Sequence, residues 1–409
     1  MSIRVVALAL VALAVAGCGA AARVSDRIGG RTLTIYFAGP SRGASSSAAQ
    51  AALDGAELAL QDRQRRVGRY RIALKVLDDS TPQSDGWDPN QTTADVRLVL
   101  SDASAIGYLG DFNSGASAIA IPPLNRMGIP QVSPASSAVG LTSTGPGASP
   151  GEPQKYYPTG VRTFARVVPS DATQALALVH LQRGMGCRQT FVLQDGEVDG
   201  EDAALSFVLT AESAGLRVVG IQTFQRAATN YTSLAAGVAR TGANCILVSA
   251  IDERSAARLT QQVARTMPRV MIFATAGLAD SAYTSPGRGI PLAVDSRVLI
   301  ASPLLDARAY PASAQAFLAG YSRAFGPPEP QAVFGYEAMS LMLNAISRAT
   351  DRGRKPAERS KVLAEILGAR RERTVLGTYR IDSSGDTTIA RYGVYRVVNG
   401  RLSYLTTLG

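Results

Sequence analysis

The sequence has few of the side chains that enzymes use for acid–base, nucleophilic and metal chemistry. Its 409 residues include 1 histidine and 3 cysteines. The histidine, His180, ends an apolar helical pattern at residues 175–180, where a helix-surface or structural role is expected. A Ser/His/Asp or Cys/His catalytic group, an HExxH motif and a two-histidine metal site are therefore excluded, and we expect no metal and no cofactor.

Phosphate-binding motifs are also missing. Residues 110–115 follow a predicted strand but lack the Lys-Ser/Thr pair of a phosphate loop, and no GxGxxG motif follows a predicted strand. Two groups of carboxylates, Asp78 with Asp79 and those at residues 195–202, remain as candidates for catalysis. A hydrolase that uses the second group is one alternative, but such chemistry needs carboxyls that converge in a cleft. We expect a protein that is not an enzyme.

Basic residues outnumber acidic ones, but they are scattered along the chain. Lys+Arg 42 against Asp+Glu 32 gives a net charge of +10. The denser basic groups, at residues 63–66, 352–355 and 370–373, have no aromatic residues between them. Isolated runs of this kind usually solvate a surface, so no nucleic-acid partner is expected.

The N-terminus has the pattern of an export signal. Arg4 precedes an apolar run at residues 5–16, and Val15-Ala16-Gly17-Cys18 ends it. The run is too short to span a bilayer, which takes roughly 20 residues. The pattern resembles the lipobox of bacterial lipoproteins, which implies a signal peptide at residues 1–17, lipidation of Cys18 and a tether at 18–31. The protein is then exported and anchored to the cell membrane through lipid only; the alternative is an ordinary signal peptide with a chance cysteine.

The two remaining cysteines lie at equivalent positions in two similar segments of the sequence. Cys187 and Cys245 each open a short β-rich run that ends near an aspartate. If those runs are neighbouring parallel strands, both cysteines lie at the same end of the sheet and a disulfide can form in an exported protein. Two reduced, buried thiols are the equally reasonable alternative.

From residue 32 onwards, β-rich runs alternate with helical patterns. The first runs lie at residues 32–38, 72–77, 106–109 and 129–132, and a Gly/Pro/Ser-rich stretch at 143–160 separates them from a second series. Repeated β-α-β order implies parallel sheets covered by helices on both faces. The predicted fold class is therefore α/β, with two doubly wound parallel-sheet lobes.

Ligands of such sheets bind beyond the carboxyl ends of the strands, so the residues there are candidates for a site. Ser114 follows the third strand at the expected start of a helix, where a hydroxyl and free backbone N–H groups bind an anion such as a carboxylate. Residues 133–137, after the fourth strand, add hydroxyls and amides at the same edge. Ordinary helix capping is the alternative for each serine.

Several motifs resemble a known family. Residues 107–137, with Gly128-Ile129-Pro130, are similar to the leucine/isoleucine/valine-binding proteins of bacterial ABC transporters, which are type 1 periplasmic binding proteins. The resemblance extends to Leu77-Asp78-Asp79 with the following Asp88-Pro89, and to residues 334–338. It implies two lobes joined by a multi-strand hinge that close on a small ligand. The expected lobes are residues 32–163 plus 304–378 and residues 164–303 plus 379–409.

The resemblance also implies site residues. Ser114, Ala135 and Ser137 match first-lobe positions that bind the α-carboxylate and ammonium of the ligand. The second lobe departs from the family, because Asp199 and Ile251 stand where aromatic residues are expected, and Ala276 lies near the place of an ammonium-binding glutamate. The expected ligand-binding residues are Ser114, Ala135, Ser136, Ser137, Asp199, Ile251, Asp252 and Ala276. Either Asp199 or Asp252 supplies the missing negative charge, or the ligand has no amine.

These observations together predict a receptor for a small solute. We expect a monomeric lipoprotein that captures a carboxylate-bearing molecule, an amino acid or related metabolite, and presents it to an ABC permease. A sensory or regulatory ligand-binding lipoprotein is the alternative. The single tryptophan, Trp87, is expected either to cover the ligand or to pack against its own loop.

Overall fold

The structure is a computed structural model that describes residues 26–43, 45–84, 86–329 and 331–409. The predicted signal peptide and Cys18 lie outside these residues. Within the described part of the chain, no helix combines the length and the apolar character that a membrane span requires.

Strands and helices alternate through most of the chain. The first segment contains β1 (Thr32–Gly39), α1 (Ser46–Asp62), β2 (Arg66–Val67), β3 (Tyr70–Asp78), β4 (Ser80–Thr81), β5 (Gly86–Trp87), α2 (Pro89–Ser101), β6 (Ala105–Leu109), α3 (Ser114–Arg126), β7 (Gln131–Ser133) and β8 (Phe164–Arg166). The second contains α4 (Asp171–Gly184), β9 (Gln189–Gln194), α5 (Val198–Ser213), β10 (Arg217–Thr223), α6 (Thr232–Ala239), β11 (Cys245–Ser249), α7 (Glu253–Thr266), β12 (Met271–Ala274), α8 (Ser281–Thr284) and β13 (Val298–Ser302). The third contains α9 (Gln315–Phe325), α10 (Ala332–Ala349), α11 (Arg359–Ile366), β14 (Arg370–Thr374), β15 (Gly377–Arg380), β16 (Tyr392–Val398) and β17 (Arg401–Leu408).

The first sheet has the order β2-β3-β1-β6-β7-β8 and is parallel except for β2. Its central strand β1 is buried along nearly its whole length because helices cover both faces of the sheet. Helices α1 and α10 pack on one face, and α2 and α3 on the other. Gly335 allows the close approach of α10 to α1, since a β-carbon there would lie 1.8 Å from the carbonyl oxygen of Ala52.

The second sheet has the order β10-β9-β11-β12-β13-β16-β17, in which the last two strands run antiparallel to their neighbours. Helices α4 and α5 cover one face, and α6 and α7 cover the other. The molecule therefore has two lobes, each built on a mainly parallel sheet, and the predicted α/β fold class is confirmed.

The chain passes between the lobes three times. It crosses after β8, after β13 and before β16, which pairs with β13 in the second sheet. Strand β8 pairs with β7 of the first sheet, and Tyr379 and Ile381 pack into the first-lobe core. The first lobe thus extends a few residues beyond the predicted boundaries at 163 and 378.

A disulfide joins Cys187 to Cys245, with 5.8 Å between their Cα atoms. Strand β11 pairs with β9 in parallel register, and Cys245 lies opposite Thr190. Both cysteines therefore lie at the amino end of neighbouring strands, as the first of the two sequence-based alternatives requires.

Candidate functional site

A cleft of about 440 Å³ lies between the lobes, at the carboxyl ends of both sheets. This volume is within the range of small-molecule sites, and the position is the one expected for open α/β sheets. The cleft is lined by residues that follow β6, β7, β9, β11 and β12, together with Asp171 and Gln174 of α4 and Tyr392 of β16.

Five of the eight predicted ligand-binding residues line this cleft. They are Ala135, Ser137, Asp199, Ile251 and Ala276. Ser137 and Ala135 come from the first lobe, and the others come from the second. The three remaining residues, Ser114, Ser136 and Asp252, have other contacts.

Ser114 links the two lobes. Its backbone N–H donates to both carboxylate oxygens of Asp199, at 3.2 Å each. Its hydroxyl accepts from the backbone N–H groups of Ser137 and Ala138, also at 3.2 Å. The start of α3 does bind a carboxylate, as expected for a helix N-terminus. That carboxylate belongs to the opposite lobe, however, whereas the prediction placed a carboxylate of the ligand there.

Ser136 and Asp252 have structural contacts. The Ser136 hydroxyl is fully buried and donates to the carbonyl oxygen of Asp111 at 2.9 Å. Asp252 caps α7 by accepting from the backbone N–H of Ser255 at 2.9 Å. Asp195, a candidate for hydrolysis, accepts from the backbone N–H groups of Ile251 and Asp252 and so fixes the loop after β11.

Two buried carboxyls were not anticipated. Asp171 and Glu253 are the first residues of α4 and α7, each is 2% exposed, and both line the cleft. Within the described residues, the Asp171 Oδ2 and the Glu253 Oε2 have no hydrogen-bond partner. The signal in the sequence is weak, because an acidic residue near the start of a helix usually has a capping role.

Gln174 of α4 holds the loop after β12, which contains Ala276. Its side-chain oxygen accepts from the backbone N–H of Ala276 at 3.2 Å, and the side chain is buried. Ala276, which stands near the expected place of a glutamate, therefore contributes backbone and a methyl group to the cleft wall. The negative charge comes from other elements.

The cleft is acidic. Of the described residues that line it, five have a carboxyl (Asp171, Asp199, Glu253, Asp280 and Glu329) and one, the exposed Arg401, is cationic. Burial and the nearby Asp199 charge raise the pKa of Asp171 to about 7. Burial also raises the pKa of Asp199 to about 6, against the hydrogen bonds from Ser114, and that of Glu253 to about 8. A positively charged group in the cleft would stabilise the ionised forms.

Within the described ranges, no group of three or more His, Cys, Asp or Glu side chains is placed to coordinate a metal ion.

Comparison with known proteins agrees with this architecture. A family model described as "Periplasmic binding protein" matches residues 32–401. The chain is similar to the leucine-binding protein LivK of Thermotoga maritima, with 19% identity, 92% of this chain and 98% of that chain covered, and a TM-score of 0.77. It is also similar to the substrate-binding protein LivJ of Streptococcus pneumoniae, solved with isoleucine (17% identity, 92% and 99% covered, TM-score 0.71).

A third similar structure has a different kind of ligand. It is a solute-binding protein of an ABC transporter from Rhodopseudomonas palustris, solved with p-hydroxybenzoic acid, with 16% identity, 92% and 97% of the two chains covered and a TM-score of 0.75. The fold and the interlobe cleft thus define a two-lobed binding protein. The chain belongs to the periplasmic binding protein family, and it is a binding protein, not an enzyme.

Proposed function

We propose that this protein is an exported, lipid-anchored substrate-binding protein that captures a small solute between its lobes and delivers it to an ABC permease. Family membership and the similarity to transporter-associated proteins support this role. The solute is an amino acid or related metabolite with an amino group, and the protein acts as a monomer.

The observation on which the amine assignment depends is the pair Asp171 and Asp199. Asp171 is buried and has an unpartnered oxygen, and Asp199 from α5 acts on it electrostatically. A buried carboxyl oxygen without a partner is costly, and a positively charged ligand group removes much of that cost. The sequence had left open whether Asp199 replaces the missing ammonium-binding glutamate; this geometry supports Asp199 in that role, together with Asp171.

The backbone amide that was expected to bind a ligand carboxylate is already hydrogen-bonded within the protein. The N–H of Ser114 is engaged by Asp199, so a ligand carboxylate at that place would have to displace an aspartate of the protein. Ser137 and Ala135 line the first-lobe wall and are the proposed contacts for the polar remainder of the solute.

Solute binding is tested by thermal unfolding of the purified protein with amino acids, amines and aromatic acids. We expect at least one amine to raise the melting temperature, because a ligand that binds only the folded state stabilises it by mass action. Asp171→Asn should weaken that binding by about tenfold or more, since it removes a charged partner. If only aromatic acids stabilise the protein, or if Asp171→Asn leaves amine binding unchanged, the amine assignment is wrong.

The anchor is tested separately. Cys18 lies outside the described residues, so its lipidation is a proposal from the sequence alone. We expect the wild-type protein to fractionate with membranes and to incorporate labelled fatty acid, and Cys18→Ala to do neither. Membrane association that survives this substitution would contradict the lipid anchor without affecting solute binding.

A further inference from the structure

The carboxyls of the cleft form two groups on different elements. Asp171 on α4 lies near Asp199 on α5. Glu253 on α7 lies near Asp280, which precedes α8 and caps it by accepting from the N–H of Ala282 at 2.7 Å. All four residues line the same cleft.

Each group contains one buried carboxyl with an oxygen that has no hydrogen-bond partner in the described part of the chain. Asp171 and Glu253 are both 2% exposed, and the Asp171 Oδ2 and the Glu253 Oε2 have no hydrogen-bond partner within the described residues. Charged side chains are rarely buried to this extent unless they are paired. Two such carboxyls in one cleft are therefore the observation that points to the ligand.

Arg166, a cation whose charge acts on Asp171, is already hydrogen-bonded to other groups. The buried Arg166 donates to Asp386 at 2.6 Å, to the carbonyl oxygen of Ala138 at 2.7 Å and to Thr142 at 2.7 Å. Its charge acts on Asp171 at a distance, and these hydrogen bonds go to other groups. Arg401, the cationic residue of the lining, is solvent-exposed.

We infer that the solute has two separated, positively charged nitrogen groups, one bound by Asp171 and Asp199 and the other by Glu253 and Asp280. This inference rests on the proposed function, because it assigns the ligand of the same cleft. The shared chemistry is that of a small diamine or of a basic amino acid. The second charge distinguishes such a solute from leucine or isoleucine, which have one amino group.

Isothermal titration calorimetry with three related molecules tests the inference. Lysine has two amino groups and a carboxylate, 1,5-diaminopentane lacks the carboxylate, and norleucine lacks the second amino group. We expect lysine or 1,5-diaminopentane to bind about tenfold tighter than norleucine, or more, because one ion pair is added in a buried site. A preference for lysine identifies a basic amino acid as the solute class, and a preference for 1,5-diaminopentane identifies a diamine.

The substitution Glu253→Gln tests whether Glu253 binds the second positively charged group of the solute. This substitution keeps the shape of the side chain and removes a buried carboxyl, so the variant should fold. It should lower the affinity of the preferred ligand, lysine or 1,5-diaminopentane, by about tenfold or more and leave that of norleucine within about twofold. Glu212→Gln is the matched control, because Glu212 is an exposed carboxylate near the end of α5, and it should change neither affinity.

The outcomes separate this inference from the proposed function. If norleucine binds as tightly as both lysine and 1,5-diaminopentane, the assignment of a second charged group is wrong while solute capture stands. If p-hydroxybenzoic acid binds and no amine does, both the inference and the amine assignment are wrong, although the protein remains a solute receptor. If neither lysine nor 1,5-diaminopentane binds, the inference also fails.

Discussion

Asp171 and Glu253 occupy equivalent positions, each at the first residue of a helix that faces the cleft. The amide groups of a helix start favour a negative charge there, which offsets part of the cost of burying the carboxyl. The remaining cost leaves both pKa values raised, to about 7 and about 8. These carboxyls thus respond strongly to a positive charge that enters the cleft, which a solvent-exposed aspartate would not do.

Burial raises the pKa of Asp79 in the same way, at a position away from the cleft. It is fully buried in the first lobe, and both of its carboxylate oxygens lack a hydrogen-bond partner within the described residues. Burial and the neighbouring Asp111 raise its pKa to about 8. The folded state therefore holds a proton on Asp79 at pH values where the unfolded chain has lost it.

The sign of the resulting pH dependence follows from proton binding. Between the ordinary value of 3.8 and about 8, the unfolded state binds fewer protons at Asp79 than the folded state does. The free energy of unfolding therefore falls as the pH rises through this window, by at most about 1.4 kcal/mol per pH unit from this group. We expect Asp79→Asn to raise the free energy of unfolding at pH 8 and to change it little at pH 4.

Urea unfolding at pH 4, 6 and 8 measures this effect. Glu212→Gln serves as the control because its carboxylate is exposed. A variant whose stability relative to wild type is the same at all three pH values would show that Asp79 is ionised in the folded protein.

At the scale of elements, the loops that follow the strands form the site. These loops are aligned only if the strands of the second sheet keep their register. The Asp195 carboxylate connects the loop after β9 to that after β11, through the N–H groups of Ile251 and Asp252. At the opposite end of the same two strands, the disulfide joins Cys187 to Cys245. The strand pair is thus held by hydrogen bonds at one end and by a disulfide at the other.

The disulfide closes a segment of 58 residues, and its removal should destabilise the second lobe. We expect the double variant Cys187→Ser, Cys245→Ser to lose about 2–4 kcal/mol of unfolding free energy, because the unfolded chain gains conformational freedom. Urea unfolding with and without a reductant measures the loss. The reductant should destabilise the wild type and not the variant; an equal response of both would mean that the wild-type cysteines are reduced.

At the scale of the whole molecule, the three interlobe crossings provide a hinge, and the contact between α3 and α5 marks where the lobes meet. Gly115 lies in that contact: a β-carbon there would lie 2.7 Å from the Trp87 ring and 3.6 Å from Val198 of the second lobe. Trp87 also pairs with Ser80 in its own loop and is not part of the cleft lining. The ring itself packs against Gly115 of α3, and the side chain is hydrogen-bonded to Glu197 of the second lobe, so Trp87 lies at the contact between the lobes and not over the cleft.

The position of Trp87 makes it a reporter of lobe movement. It is the only tryptophan of the chain, and a change in the distance between α3 and α5 alters the surroundings of its ring. We expect a bound solute to shift or change the intensity of tryptophan emission, with a midpoint equal to the calorimetric dissociation constant. Trp87→Phe should bind the solute without this signal. An unchanged spectrum at saturating solute would mean that binding does not move the lobes against each other.

Much of the fold could be predicted from local patterns. The alternation of strands and helices, the buried β1 and the parallel register of β9 and β11 follow from short-range periodicity and from the rules for β-α-β connections. The same rules pointed to Ser114 and residues 133–137 at the strand ends, and the family resemblance implied Asp199, Ile251 and Ala276. Of these, Ala135, Ser137, Asp199, Ile251 and Ala276 line the cleft. The lobe boundaries were less accurate, because the pairing of β8 with β7 joins residues separated by a long loop.

The amino-acid sequence alone determined the α/β fold class, because periodicity is a local property that a chain shows without folding, and the family was implied by the resemblance of its motifs. It could not decide which groups remain available to a ligand, since availability depends on partners that are distant along the chain. Asp199 meets Ser114 across 85 positions, and this contact uses the amide that appeared free for a ligand carboxylate. In the sequence, Asp171 and Glu253 look like ordinary residues at helix starts. Tertiary packing buries them beside other carboxyls and leaves one oxygen of each without a hydrogen-bond partner within the described residues.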